Sequence, residues 1–276
     1  MGGKSEFKNL AGADFKRATG IPFAVAVICT IFCMSFDSWN DLILIFTHTI
    51  PAGTTLSVCY YYFNSLAVCS IYSAYLIPML ATLPFATDYC VEEPSGMSSF
   101  VMSRVGKRKY CLSKMTVCTI SGGLALALGS LLFILALSFK VPLVTDAKLV
   151  EMVGFPYHSF LSSGTGAGYF IIAIYLAFLR GGLWSAIAMT VSAYYPNKYV
   201  TAVSPFILSF VFSRAYNLLR VPGNWRLDYW LIARASVGAD RTALLITTIV
   251  VLAIIFLCAL IFTKRVRRRV EHVSHT

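Results

Sequence analysis

The feature that most restricts this chain is an alternation of long apolar runs with short charged interruptions. Its sharpest case is Val91 to Lys114, VEEPSGMSSFVMSRVGKRKYCLSK, which stands between two such runs. A charged side chain at the centre of a bilayer costs at least about 2.5 to 3.5 kcal/mol, so an island of this kind has to protrude from a membrane. Its first part is predicted to be a short helix. Glu92 and Glu93 stand at the N-terminal end, where the helix dipole favours anions, and Pro94 suits the first turn. Met97, Val101 and Val105 then recur at i, i+4 and i+8, and Gly106 closes the element. Lys107, Arg108, Lys109 and Lys114 follow, and short loops rich in Lys and Arg stay on the cytoplasmic side.

Composition enters here because it decides between classes. With 58% hydrophobic and 13% charged residues, and a mean hydropathy of +0.73, the chain is too apolar for a soluble domain of 276 residues. An all-α polytopic membrane protein is expected. Barrel strands would alternate apolar and polar residues, whereas whole runs here are apolar. The net charge of +11 does not indicate nucleic acid, because the basic residues flank apolar runs instead of forming a basic domain with stacking aromatics. The eight cysteines sit mostly inside apolar runs, with no CxxC and no His at ligand spacing, and read as small packing residues.

The pattern predicts six transmembrane helices, at about 21–36, 54–85, 115–137, 164–195, 199–217 and 242–262. An interfacial helix is expected at about 5–17, with Phe7, Leu10, Ala11 and Phe15 at helical spacing. A cytoplasmic segment, 91–114, lies between spans two and three, and an outer re-entrant element, 218–241, between spans five and six. The second run exceeds the length a span needs, so tilt or an extra interfacial turn is expected. With both termini cytoplasmic, fifteen of the 23 basic residues lie inside, six lie outside, and Arg180 and Arg214 lie within spans.

Two polar stripes interrupt the apolar spans. Tyr61, Asn64, Val68, Tyr72 and Tyr75 share one helical face of the second run, and Ser209, Ser213 and Asn217 share one face of the fifth. Ordinary packing with hydroxyls bonded between neighbours and a wetted pathway are both open readings. On the second reading the stripes face each other across a dimer and line a transport path. Arg180, beside Gly181 and Gly182, has to face a protein interior, a water-filled cavity or a locally broken helix. Gly122, Gly123 and Gly129 would let the third span approach its neighbours closely.

The segments EEPSGMSSFVMSRVGKRKYCLSK and LRGGLWSAIAMTVSAYYPNKYVTAVSPFIL, within this order of elements, resemble the permease subunit of an ABC-2 type ABC transporter. The chain is most similar to small permeases of Gram-positive bacteria, some of which export or confer immunity to peptides. The resemblance implies a multi-pass protein of the bacterial cell membrane that pairs with a second permease copy and docks on an ATP-binding cassette subunit. ATP and Mg would be bound by that partner and no cofactor by this chain. Glu92, Glu93, Met97, Val101 and Arg104 would carry the docking. The residues are in keeping with a dependent role, since the chain has neither a phosphate loop nor a string of intramembrane carboxylates. An ATP-independent transporter or channel is the rival, and would call for an internal repeat with paired broken helices. An intramembrane enzyme is weaker still, because no Ser, His and Asp or metal-ligand cluster converges at one depth. His48 and His158 fall in outer loops, His272 and His275 in the tail.

Overall fold

The structure, a computed structural model, describes residues 2–37, 39, 42–43, 47, 57–66, 72–145, 156–161 and 166–273; of 2–6, 37, 72–73 and 270–273 it describes the backbone. Val68, Cys69, Lys148, His48, His275 and most of the outer segment 37–53 lie outside these residues. Regular structure among the described residues is helical throughout, with no strand. Helix α1 spans Gly2–Ala18 and α2 Ile21–Asp37, the two bent by 51° at Thr19 and Gly20. Helix α3, Val58–Ser65, starts on Ser57, whose hydroxyl accepts from the Tyr60 N–H at 3.3 Å. A π-helical turn over Tyr72–Leu76 leads into α4, Ile77–Leu80. The expected second span is therefore broken within 54–85. Pro78 has no N–H to give the turn before it, and the helix loosens there to i→i+5 closure.

The island comprises α5, Tyr89–Glu92, a turn over 93–96, and α6, Met97–Val105. Glycines in the positive-φ region bound α6, Gly96 at +73° and Gly106 at +90°. This corrects the expected start, since Glu92 ends α5 and Glu93 begins the turn, and neither opens α6. Among the described residues four long helices then follow, with short ones between them. These are α7, Lys107–Ser138; α8, His158–Leu161; α9, Ala167–Tyr194; α10, Lys198–Leu218; and, after the outer element, the terminal helix. The segment expected as an outer element, 218–241, holds a 3-10 turn at Gly223–Trp225 and α11, Leu227–Trp230, and α12 covers Asp240–Val273. Helix α12 runs straight through KRVRRR, because Lys and Arg are good helix formers and suit the negative end of the dipole.

Three of these helices, α7, α9 and α12, are long and apolar enough to cross a membrane, and a fourth span results if the bent pair α1–α2 counts as one. Helix α10 carries Pro205 and a row of Ser, Arg and Asn, which lowers its hydropathy. Helix α7 packs most extensively on α9 and next on α2. In lipid no hydrophobic force draws helices together, so close backbone approach at small residues does so instead. A Cβ on Gly181 would run into the Gly122 carbonyl, and one on Gly129 would lie 2.7 Å from Thr30 Cγ2 of α2. Helix α9 continues unbroken through Gly181 and Gly182, so of the three expected settings for Arg180 the broken helix is not found.

The two larger apolar clusters among the described residues lie in different parts of the bundle. One holds Tyr61, Leu126, Phe133, Leu176, Leu183, Leu231 and Val251; the other, at the basic end, holds Ala18, Phe85, Tyr89, Met102, Tyr110, Met189 and Phe262. The apolar window of α12 is only 11% buried, against 61% for α7 and 67% for α9. Helix α12 thus lies on the rim, with Leu245, Ile249, Leu252 and Phe256 facing outward. At the opposite end of α12 Asp240 accepts from the Tyr157 N–H at 2.8 Å and from the Ser159 hydroxyl, fixing the loop before α9.

Candidate functional site

Lys114 enters α7 one turn after the basic run of the island, and its ammonium is buried at the junction of three elements. It donates to Asp14 Oδ1 of α1 at 3.0 Å, to Asp88 Oδ2 at 2.6 Å and to Glu92 Oε1 of α5 at 2.7 Å. Arg17 adds a second cation to Glu92 Oε1 at 3.0 Å, the Tyr110 hydroxyl donates to Glu92 Oε2 at 2.7 Å, and Ser113 donates to Asp14 Oδ2 at 2.9 Å. The Phe85 ring lies 4.9 Å below the ammonium. The oxygens of Asp14, Asp88 and Glu92 are close enough together to hold a metal ion, and the Lys114 ammonium supplies the positive charge at that point. Beside them Arg269 of α12 bonds Glu93 Oε1 at 3.0 Å. Burial pushes the Tyr89 hydroxyl up to about 12, so that residue, packed edge-to-face with Phe262 at 5.4 Å, adds no charge.

The network fixes the base from which α6 projects. Ser98 and Met102 face inward and are buried, Val101 is half-buried, and Met97, Phe100 and Arg104 are exposed. Arg104 lies 4.6 Å from the Phe100 ring centroid, a pairing that follows from their i, i+4 spacing. Of the five residues expected to dock a partner, Met97 and Arg104 stand on the free face and Val101 at its edge. Glu92 and Glu93 are occupied inside the protein. Their negative charge balances Lys114, Arg17 and Arg269, which the sequence pattern did not pair with them.

Elsewhere in the bundle a cavity of about 250 Å³ lies between α9, α10, the π-helical turn and α11. Arg180 faces it from the middle of α9, with Trp184 one turn further on. Tyr75 closes one wall, packed on Phe206 and Phe210 of α10 at 6.1 and 5.6 Å, and Ser209 and Ser213 line another. Leu231 and Ile232 of the outer element close the cavity by folding back into the core. Four expected pathway residues, Tyr75, Arg180, Ser209 and Ser213, therefore meet at one site. They do so within a single chain.

The other stripe residues separate. Tyr61 is fully buried in the apolar core, packed edge-on against Tyr60, and Asn64 is half-buried on α3 away from the cavity wall. Of Tyr72 only the backbone is described, in the π-helical turn. That turn changes the helical phase, so positions at 3.6-residue spacing on either side of it no longer share a face. Asn217 does not line the cavity but accepts from Arg226 Nη1 at 2.7 Å. Arg226 also bonds Asp228 at 2.8 and 3.3 Å and lies 4.1 Å from the Tyr229 ring centroid. The hydrogen bonds and charge of Asp228 hold the Arg226 guanidinium above its ordinary range. This clamp seats the outer element over the cavity.

Comparison with protein-family models, with curated proteins and with solved structures finds no match to this chain. The residues that sequence reasoning missed are Asp14, Asp88, Phe100 and Trp184. Asp14 sits between Ala11 and Ala18 at spacings of three and four, a small-residue stripe that marks the buried face of α1. Asp88 stands four residues before Glu92, the spacing that puts two carboxylates on one side of a helical turn.

Proposed function

We propose that this chain is the membrane-spanning permease subunit of an ATP-driven ABC-2 type exporter, with six spans and both termini cytoplasmic. It acts as a dimer of permeases on an ATP-binding cassette partner, and α6 is the coupling helix. The observation that carries this reading is the base of α6. A short helix projects Met97, Phe100 and Arg104, while its root is bound through Lys114, Asp14, Asp88 and Glu92 to α1, α5 and α7. A load applied to such a helix reaches these three elements through charge-assisted hydrogen bonds instead of dissipating in a loop. The cavity supports an amphipathic cargo, such as a peptide or a lipid-like molecule. Tyr75, Ser209 and Ser213 offer hydroxyls among apolar walls, and Arg180 supplies one cation.

The test is co-purification with the candidate ATP-binding subunit. Replacing Met97 and Phe100 by Asp adds charge to an apolar contact and is expected to abolish the complex while the permease stays in the membrane. Retention of the complex with normal coupling would remove the docking assignment. Transport by the permease alone in sealed vesicles without ATP would instead establish the ATP-independent transporter or channel.

A further inference from the structure

The basic cluster at the end of α12 is divided by the fold. Arg265 lies 4.9 Å from the Tyr194 ring centroid, Arg269 bonds Glu93, and Val266 is buried. Lys264, Arg267 and Arg268 turn the other way, and with Arg108 from the first turn of α7 they line a groove of about 690 Å³. All four are exposed, and no acidic side chain lines the groove among the described residues. The rest of its wall is mostly apolar. Leu112, Phe256 and Leu260 are more than half exposed, and they continue the outward face of α12 that includes Leu252 and Ile249.

This layout has a direction. From Phe256 to Lys264 is eight residues of helix, about 12 Å along the axis, with apolar side chains at one end and cations at the other. A soluble polyanion would meet the cations and leave Leu112, Phe256 and Leu260 in water. A neutral lipid would cover these three and leave four like charges facing one another without a counter-ion. A diacyl anionic phospholipid satisfies both ends, with phosphate among the guanidinium groups and acyl chains along the helices.

We propose that the groove between the start of α7 and the end of α12 is a binding site for an anionic phospholipid of the leaflet at the basic end. The site does not depend on the exporter reading, because neither α6 nor the cavity contributes to it. Arg108 and the α12 cations are brought together by the packing of α7 on α12, so a bound headgroup also ties the first turn after the island to the last turns of the chain.

The experiment uses the purified full-length chain, delipidated in detergent and offered dioleoylphosphatidylglycerol or dioleoylphosphatidylcholine, with bound lipid counted by native mass spectrometry. Preferential retention of the glycerol lipid is expected. The triple variant Arg108→Gln, Arg267→Gln, Arg268→Gln loses on the order of a hundredfold in affinity for it, since each cation near an anionic headgroup contributes about a factor of five. Lys140→Gln with Lys198→Gln, exposed cations away from the groove, leaves the preference intact. Leu260→Trp, which fills the acyl part and keeps every charge, weakens retention as well, and glycerol phosphate does not compete. Equal retention of both lipids, or an unchanged preference in the triple variant, would overturn the site. Competition by glycerol phosphate as strong as by lipid would make it a soluble-anion site instead. Efficient disulfide crosslinking between copies through Leu260→Cys would show that a second chain covers the groove.

Discussion

Lys114 and Arg180 are both buried cations on neighbouring helices, α7 and α9, yet their surroundings differ in kind. Lys114 is enclosed by three carboxylates at 2.6 to 3.0 Å, drawn from segments far apart in the chain. Arg180 looks into a cavity whose other walls are hydroxyls, aromatic rings, aliphatic side chains and the single carboxylate of Asp228. A charge surrounded by opposite charges fastens elements together, because removing it leaves the partners buried and repelling one another. A charge at the wall of a cavity leaves room for something to arrive. The basic end of the bundle therefore reads as a fastening, and its middle, on the proposed function, as a place of occupancy.

That contrast can be broken in four ways, in order of decreasing effect on stability. Lys114→Met is expected to destabilise the chain by about 3–5 kcal/mol, read as a lowered thermal midpoint in detergent, whereas Arg180→Met shifts it less and strikes transport. Equal shifts for the two variants would erase the distinction. Asp14→Asn is the next largest, at about 1–3 kcal/mol, because it keeps the volume but withdraws one acceptor charge from Lys114 and Ser113. Limited proteolysis should then cut first near α1, and protection equal to the parent chain would show that α1 is held by its apolar contacts alone.

Ser213→Phe occupies the cavity, with a stability change of about 1 kcal/mol or less and a loss of cargo-stimulated turnover by the assembled complex. Undiminished turnover would move the path elsewhere. Smallest for stability is Phe100→Ala on the exposed face of α6, within about 0.5 kcal/mol of the parent chain. Its effect is expected in partner binding, so a measured complex of unchanged affinity would sharpen the boundary of the docking face toward Met97 and Arg104.

Much of the outline was legible because it is written in local rules. Long apolar runs announce helices such as α7, α9 and α12, Gly106 announces the end of α6, and Asn197 caps α10 by accepting from Tyr199 and Val200. The site was legible in part. Arg180, Tyr75, Ser209 and Ser213 were recognisable as polar groups in apolar company. Tyr61 and Asn64 share that path only on a continuous helix, and the π-helical turn removes the premise. Glu92 and Glu93 were read as surface acids because their partners, Lys114 and Arg269, stand 22 and 176 residues away.

The sequence by itself determined that this is a helical protein with membrane-crossing segments, that its charge gathers at one end, and that a short helix stands between two apolar runs. Those properties depend on transfer free energies and periodicities that each residue or turn carries alone. Only the tertiary structure decided which carboxylates enclose Lys114, which half of each polar stripe reaches the cavity, and how the terminal arginines divide between ion pairing and an open groove. Such choices depend on contacts between residues about a hundred positions apart, as in Asp14 with Lys114, and chain spacing holds no record of them. They are fixed by packing at Gly122, Gly129 and Gly181, where backbones come close enough to set which side chains meet.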